Sequence, residues 1–205
     1  MKKSFFIFIT IISVVYPKSE MIALCLSAEG PILRNGSVRN GAVRKGDSIF
    51  DGDKLIVSER GYLVLSMVYD KAKVNIYEKS VIKLFNDNLD RTMQSRIELF
   101  GGKVIVQMEK NNQKTILINS PSTSSIAVDA HFLAEYREDI IFDNITYTMF
   151  NLIDGKMELK NIVSDKYFII KQGETIISTR DGKFFPLDSF RNQSLIANTL
   201  ENFSN

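Results

Sequence analysis

The chain has one cysteine, Cys25, one histidine, His131, and no tryptophan among its 205 residues. A lone cysteine forms no intramolecular disulfide, so burial of apolar surface has to hold the fold. A lone histidine rules out any site built on paired imidazoles. An excess of charge of one sign is missing as well: 26 Lys+Arg stand against 24 Asp+Glu. With both signs mixed along the chain, no basic stripe supplies the electrostatic attraction that dominates nucleic-acid binding, so a nucleic-acid partner is not expected. A long apolar run occurs only at the N-terminus, where Lys2-Lys3 precede the stretch from Phe5 through Tyr16, closed by Pro17-Lys18. That stretch suits an export signal and falls short of the roughly 20 residues that span a bilayer.

The expectation is therefore an exported bacterial protein, periplasmic or extracellular, with a signal peptide over 1–21. Membrane contact comes only through that segment if it stays uncleaved. Ile22-Ala23-Leu24-Cys25 is a poor lipoprotein box, because Leu24 is large for its position and Lys18 and Glu20 separate it from the apolar run. Cys25 reads better as a small buried hydrophobe in a first strand.

What the mature chain does have is a succession of short apolar alternations separated by turn residues, with no helical period held for long between Ile22 and Pro186. This predicts an all-β body. Strands are expected at Tyr62 to Tyr69, Lys73 to Tyr77, Val81 to Phe85, Arg96 to Phe100, Lys103 to Met108 and Thr115 to Asn119. Further strands are expected at Ser125 to Tyr136, Ile140 to Phe142, Ile145 to Leu152, Lys156 to Ile162, Lys166 to Lys171 and Thr175 to Ser178. Val104-Ile105-Val106 and Ile116-Leu117-Ile118 are apolar on successive residues, so both faces are expected to be covered, as in a rolled, solenoid-like or barrel-like antiparallel or mixed sheet. Gly101-Gly102 reads as a tight corner where a larger residue would clash with a neighbouring coil. After Pro186, the residues Leu187, Phe190, Leu195, Ile196, Leu200 and Phe203 fall near a helical period with Asp188 placed to cap it. They predict a C-terminal amphipathic helix that closes the β body.

The stretch from Val43 to Val57 carries two Gly-Asp steps, Gly46-Asp47 and Gly52-Asp53, and they head an ordered series. Glu29-Gly30 precedes them. Glu59-Arg60-Gly61-Tyr62-Leu63-Val64-Leu65, the hairpin around Asp70-Lys71-Ala72-Lys73-Val74 and Glu78-Lys79-Ser80-Val81-Ile82-Lys83-Leu84 follow. Then come Ile97-Glu98-Leu99-Phe100-Gly101-Gly102-Lys103-Val104, Ile118-Asn119-Ser120-Pro121, Asn151-Leu152-Ile153-Asp154-Gly155-Lys156-Met157 and Ile170-Lys171-Gln172-Gly173-Glu174. In this order, from about Ile22 to Ile177, the chain resembles the FecR-domain family of exported bacterial β proteins. It departs from the family at Asp129-Ala130-His131-Phe132, where an Arg-Gly-Thr step is usual. The resemblance implies a FecR-like β domain over 22–178 and a tail over 179–205. It also implies a non-catalytic envelope module that engages a protein or a cell-wall or surface polymer through sheet edges and loops. The alternative is a periplasmic part of a signalling relay, passing the state of an outer-membrane receptor to a separate regulator. The family's founding members touch a sigma factor through a cytoplasmic segment, and with only Met1 to Lys3 ahead of the apolar run no such contact is expected.

Three sets of residues have the composition for chemistry. Asp129, His131 and Ser124 or Ser125 permit a triad on paper, but proximity along one strand provides neither converging elements nor an oxyanion pocket, so no catalytic residue is assigned and no enzyme is expected. Asp47, Asp51 and Asp53 could offer oxygen ligands to a hard cation, yet they match no EF-hand spacing and lack its bidentate glutamate. They read as turn aspartates bonding their own backbone, and no metal site is assigned. No glycine step forms a phosphate-cradling loop, so no cofactor is expected. The aromatics Tyr62, Tyr69, Tyr77, Phe85, Tyr136, Phe142, Tyr147 and Phe150 are spread over many strands, as core packing requires.

Overall fold

Apolar residues at alternate positions and glycine, aspartate or lysine at the reversals build a molecule made almost wholly of strands. The computed structural model describes residues 20–89, 92–110, 113–138 and 146–187. In chain order the first strands are β1 (Met21–Glu29), β2 (Ile32–Asn35), β3 (Gly41–Ala42), β4 (Ser48–Phe50), β5 (Lys54–Val57), β6 (Tyr62–Met67), β7 (Lys73–Ile76) and β8 (Ser80–Leu89). They are followed by β9 (Thr92–Gln107), β10 (Thr115–Asn119), β11 (Thr123–Glu138), β12 (Thr146–Asn161), β13 (Tyr167–Ile170), β14 (Thr175–Thr179) and β15 (Phe184–Pro186).

Pairing divides the strands into two rows. One runs β4-β1-β6-β7-β9-β11-β12-β14-β15. The other runs β3-β2-β5-β8-β9-β10-β11-β12-β13. Among the described strands only β9 and β10 pair in parallel. The strands β9, β11 and β12, each 16 residues long, belong to both rows, one half in each. They pass between rows at sharp bends. β9 turns at Gly101-Gly102, where a bulge leaves Phe100 unpaired. β11 turns at Asp129-Ala130 and β12 at Asp154-Gly155, with the register shifting between Val128 and Phe132.

The rows end at β4 and β15, and at β3 and β13, so the sheet does not close. The expected barrel-like closure is absent among the described residues, where four edges remain, because long strands fold the sheet over instead of joining its ends. The expected helix over Asp188 to Phe203 lies outside the described residues, as does the expected strand at Ile140 to Phe142. Between the rows lies one apolar core in which Ile22, Leu63, Leu65 and Phe150 of the first row meet Leu55, Ile82, Ile97 and Leu159 of the second. Cys25 belongs to this core at 1% exposure.

The bends stack on one another. Gly30, Arg60, Lys79 and Gly102 all hold positive φ, between 60° and 83°. A Cβ on Gly30 would stand 2.5 Å from the Arg60 carbonyl oxygen, and one on Gly102 would stand 2.5 Å from Ser80 Cα. The Arg60 N–H donates to Glu78, and Ser80 Oγ accepts from the Lys103 N–H at 2.9 Å. At the other bend, a Cβ on Gly155 would lie 2.5 Å from Ala130 Cα. Two piles of corners therefore fix where the sheet folds, and glycine sits where backbones touch.

A polar cluster also ties the rows inside the core. Thr148 Oγ1 of β12 lies 2.6 Å from Ser120 Oγ, and Thr123 Oγ1 donates to Ser178 Oγ at 2.7 Å. Asn161 donates through Nδ2 to Ser178 Oγ and the Thr179 carbonyl, both at 2.9 Å, and accepts the Val163 and Ser164 N–H groups on Oδ1. The Asn161 amide is thus fully bonded, which is what burial demands.

Candidate functional site

The residues with the composition for chemistry have structural employment. Asp47 Oδ2 accepts the Arg44 N–H at 2.9 Å, Asp53 Oδ2 the Phe50 N–H at 2.9 Å, and Asp51 Oδ1 the Asn86 N–H at 2.8 Å. Asp53 is wholly buried, 3.9 Å from the equally buried Arg34, whose Nη1 donates to the Ser48 carbonyl at 2.7 Å. Desolvation pushes the Asp53 carboxyl above the usual aspartate range, against the pull of the Phe50 N–H and Arg34. Asp70 behaves alike: burial raises it, although its Oδ2 accepts the Ser95 N–H at 2.9 Å. The expectation that these aspartates tie their own turns matches Asp47 and Asp53, whereas Asp51 bonds the backbone of Asn86 in β8. Nothing local in the sequence marks Arg34 or Asp70 as a buried charge.

The paper triad is not assembled. Asp129 turns both carboxylate oxygens onto the Gln113 and Lys114 N–H groups, each at 3.3 Å. Ser125 donates to the Ile118 carbonyl and Ser124 to Asn119 Oδ1, both on the far side of the bend from His131. The aromatics are likewise engaged. Phe150 is core, Tyr62 and Tyr77 meet edge to face at 5.4 Å, and the cations of Lys103, Lys83 and Arg96 cover the rings of Tyr77 and Phe85.

What stands open is an edge. Of the four, β3 has two residues, β4 has its Phe50 N–H taken by Asp53, and β15 contains Pro186. β13 has none of these protections. Among the described residues it pairs only with β12, its Tyr167 is 58% exposed, and its Ile169 is 72% exposed, the most open large apolar residue described. The Asn161 N–H donates to the Lys166 carbonyl at 2.9 Å. Bonded and non-bonded pairs alternate in an antiparallel ladder, so Leu159–Phe168 and Met157–Ile170 carry the next bonds. Tyr167 and Ile169 therefore direct their main-chain N–H and C=O groups away from β12, toward the open side.

Beside this edge the register sets Ile126 of β11, Glu158 of β12 and Ile169 of β13 in one line across the outer face. They share a shallow groove of about 520 Å³ with Val128, Met157 and Ile170. On its inner side β13 is anchored, Phe168 packing on Phe184 of β15 at 5.6 Å. A rigid strand with exposed apolar side chains and unpaired main-chain groups is a template for another strand. The sequence does mark Lys166 to Lys171 as a strand, but its edge position follows only from pairing across the fold.

No family model matches the chain, and no curated protein matches it. Among solved structures, two crystal structures of a putative anti-sigma factor from Parabacteroides distasonis are similar to it, each with a TM-score of 0.51. They are 13% and 14% identical in sequence, and each alignment covers 65% of this chain and 58% of that one. At that identity the likeness is one of fold, and the chain spans little more than half the length of the proteins it matches.

Proposed function

We propose that this is an exported, non-catalytic binding module of FecR type that serves signalling in the bacterial envelope, and that it recognises a partner protein by strand addition at β13. The open main-chain groups of Tyr167 and Ile169 carry the reading, since an exposed apolar edge otherwise invites aggregation and is normally blunted. The fold likeness to an anti-sigma factor supports a place in a relay rather than in a static scaffold. The test is a photo-reactive residue placed at position 169, or at position 42 on the short β3 edge, in cells that express the chain. An adduct with an envelope protein at 169 and none at 42 is expected. Equal adducts at both positions, or none at 169, would refute binding through β13. Cell fractionation checks export separately.

A further inference from the structure

We infer that the β13 edge takes an extended segment of another protein with an apolar centre and one acidic residue at each end. The inference rests on strand addition at β13 and specifies its partner. Lys166 and Lys171 bracket the apolar run Tyr167–Ile170, and both are exposed. Lys156 stands one step beyond the Met157–Ile170 pair, beside Lys171 on the outer face. Lys110, Lys160 and Lys183 each have a carboxylate partner, whereas Lys156, Lys166 and Lys171 have no ion pair among the described residues.

The nearby anions are placed elsewhere. Asp165 pairs with Lys160 at 2.6 Å, and Glu174 Oε2 accepts the Lys171 N–H at 2.9 Å, closing the turn. Glu158 lies one strand in from the edge, behind Ile169. An incoming strand thus meets a positive residue at each end of an apolar centre.

The same lysines bear on the two nearest alternatives. Two copies of β13 pairing antiparallel must set open residue against open residue, Tyr167 against Ile169, which puts Lys171 opposite Asp165 but leaves Lys166 opposite Ile170 without an acid. The chain's own segment 188–205 has only two acidic residues, Asp188 and Glu201, too far apart to face both lysines. Antiparallel pairing, the commoner kind, orders the partner as acid, any, apolar, any, apolar, acid. The first acid faces Lys171, the apolar residues lie beside Ile169 and Tyr167, and the last acid faces Lys166. The open N–H and C=O groups of Tyr167 and Ile169 bond the main chain of the residues opposite them.

The experiment titrates the full chain into a fluorescent peptide of that pattern, with glutamate at both ends, isoleucine and phenylalanine at the apolar positions and threonine between. Fluorescence anisotropy is the readout. A second peptide has lysine at both ends. The glutamate peptide should bind about tenfold tighter at low salt, and the preference should shrink at high salt and reverse in the Lys166→Glu, Lys171→Glu double variant. Ile169→Pro should abolish binding of either peptide. The Ile169 N–H makes no ladder bond, so the unchanged melting midpoint expected of this variant would separate a blocked edge from a lost fold. Equal binding of both peptides would overturn the charge assignment while leaving strand addition intact. Binding of neither also overturns it, and if position 169 gives no cross-link either, strand addition falls too. Because Cys25 is buried, Ile169→Cys provides one accessible thiol. A disulfide-linked dimer through it, or a cross-link from it to residues 188–205, would assign the edge to a second copy or to the chain's own tail.

Discussion

Gly102→Ala tests the stacked corners most directly, and Gly52→Ala is its control. Both glycines hold left-handed φ, +83° and +81°, so alanine at either meets the same backbone strain, about 1 kcal/mol. Only Gly102 has neighbours. Its added Cβ would stand 2.5 Å from Ser80 Cα and 2.7 Å from the Lys79 carbonyl oxygen, while nothing lies within 4 Å of a Cβ on Gly52. Those neighbours are backbone atoms held by the Tyr77 N–H to Lys103 carbonyl bond and by the Ser80 hydroxyl, so they yield only if the corner shifts. Forcing a methyl into such a contact costs about 2 kcal/mol more. The expected losses are about 3 kcal/mol for Gly102→Ala and about 1 kcal/mol for Gly52→Ala, or about 9 °C and 3 °C in melting midpoint for a chain of this size. Urea unfolding followed by far-ultraviolet circular dichroism measures both. Losses that agree within about 0.5 kcal/mol would mean that the turn at Lys79 does not press on the β9 bend, and the stacked-corner account would fail.

Other consequences follow from the interior. Asp70, raised by burial, stabilises most below the usual aspartate pKa, and that contribution is lost as pH rises through its higher folded value. Asp70→Asn should therefore gain on the wild type between pH 4 and pH 7, and a difference in unfolding free energy that is the same at both pH values would contradict this. Asn161→Ala removes two buried and two half-buried hydrogen bonds and should cost about 3 kcal/mol in chemical denaturation; a loss below about 1 kcal/mol would show that the polar cluster does not tie the rows. Cys25 is buried in β1, and burial raises its thiol pKa. An aqueous thiol reagent should modify it only as fast as the protein opens, and rapid labelling of the native protein would displace Cys25 from the core.

Much of the strand content was legible in the sequence because alternation reports which face of a strand is wet. Lys73 to Tyr77, Thr115 to Asn119 and Lys166 to Lys171 each coincide with a strand to within a residue or so at each end. The expected strands Arg96 to Phe100 and Lys103 to Met108 are one bent strand, β9, because Gly101-Gly102 bends the chain without ending its pairing. Ser125 to Tyr136 likewise runs through its bend at Asp129-Ala130, and Ile145 to Leu152 joins Lys156 to Ile162 through Asp154-Gly155. Turn chemistry alone does not distinguish a reversal from a bend. That depends on which strand lies alongside.

The amino-acid sequence by itself determined the all-β class, the places where the chain changes direction and the aspartates that tie its turns. These are local effects of side-chain alternation and backbone freedom. Only the tertiary structure decided that long strands serve two rows, that Arg34 and Asp53 are buried together, and that β13 is left without a partner on one side among the described residues. An edge has no local signature, since Tyr167 and Ile169 would read the same in a central strand. What leaves their main-chain groups open is that no described strand lies alongside, an outcome of long-range pairing.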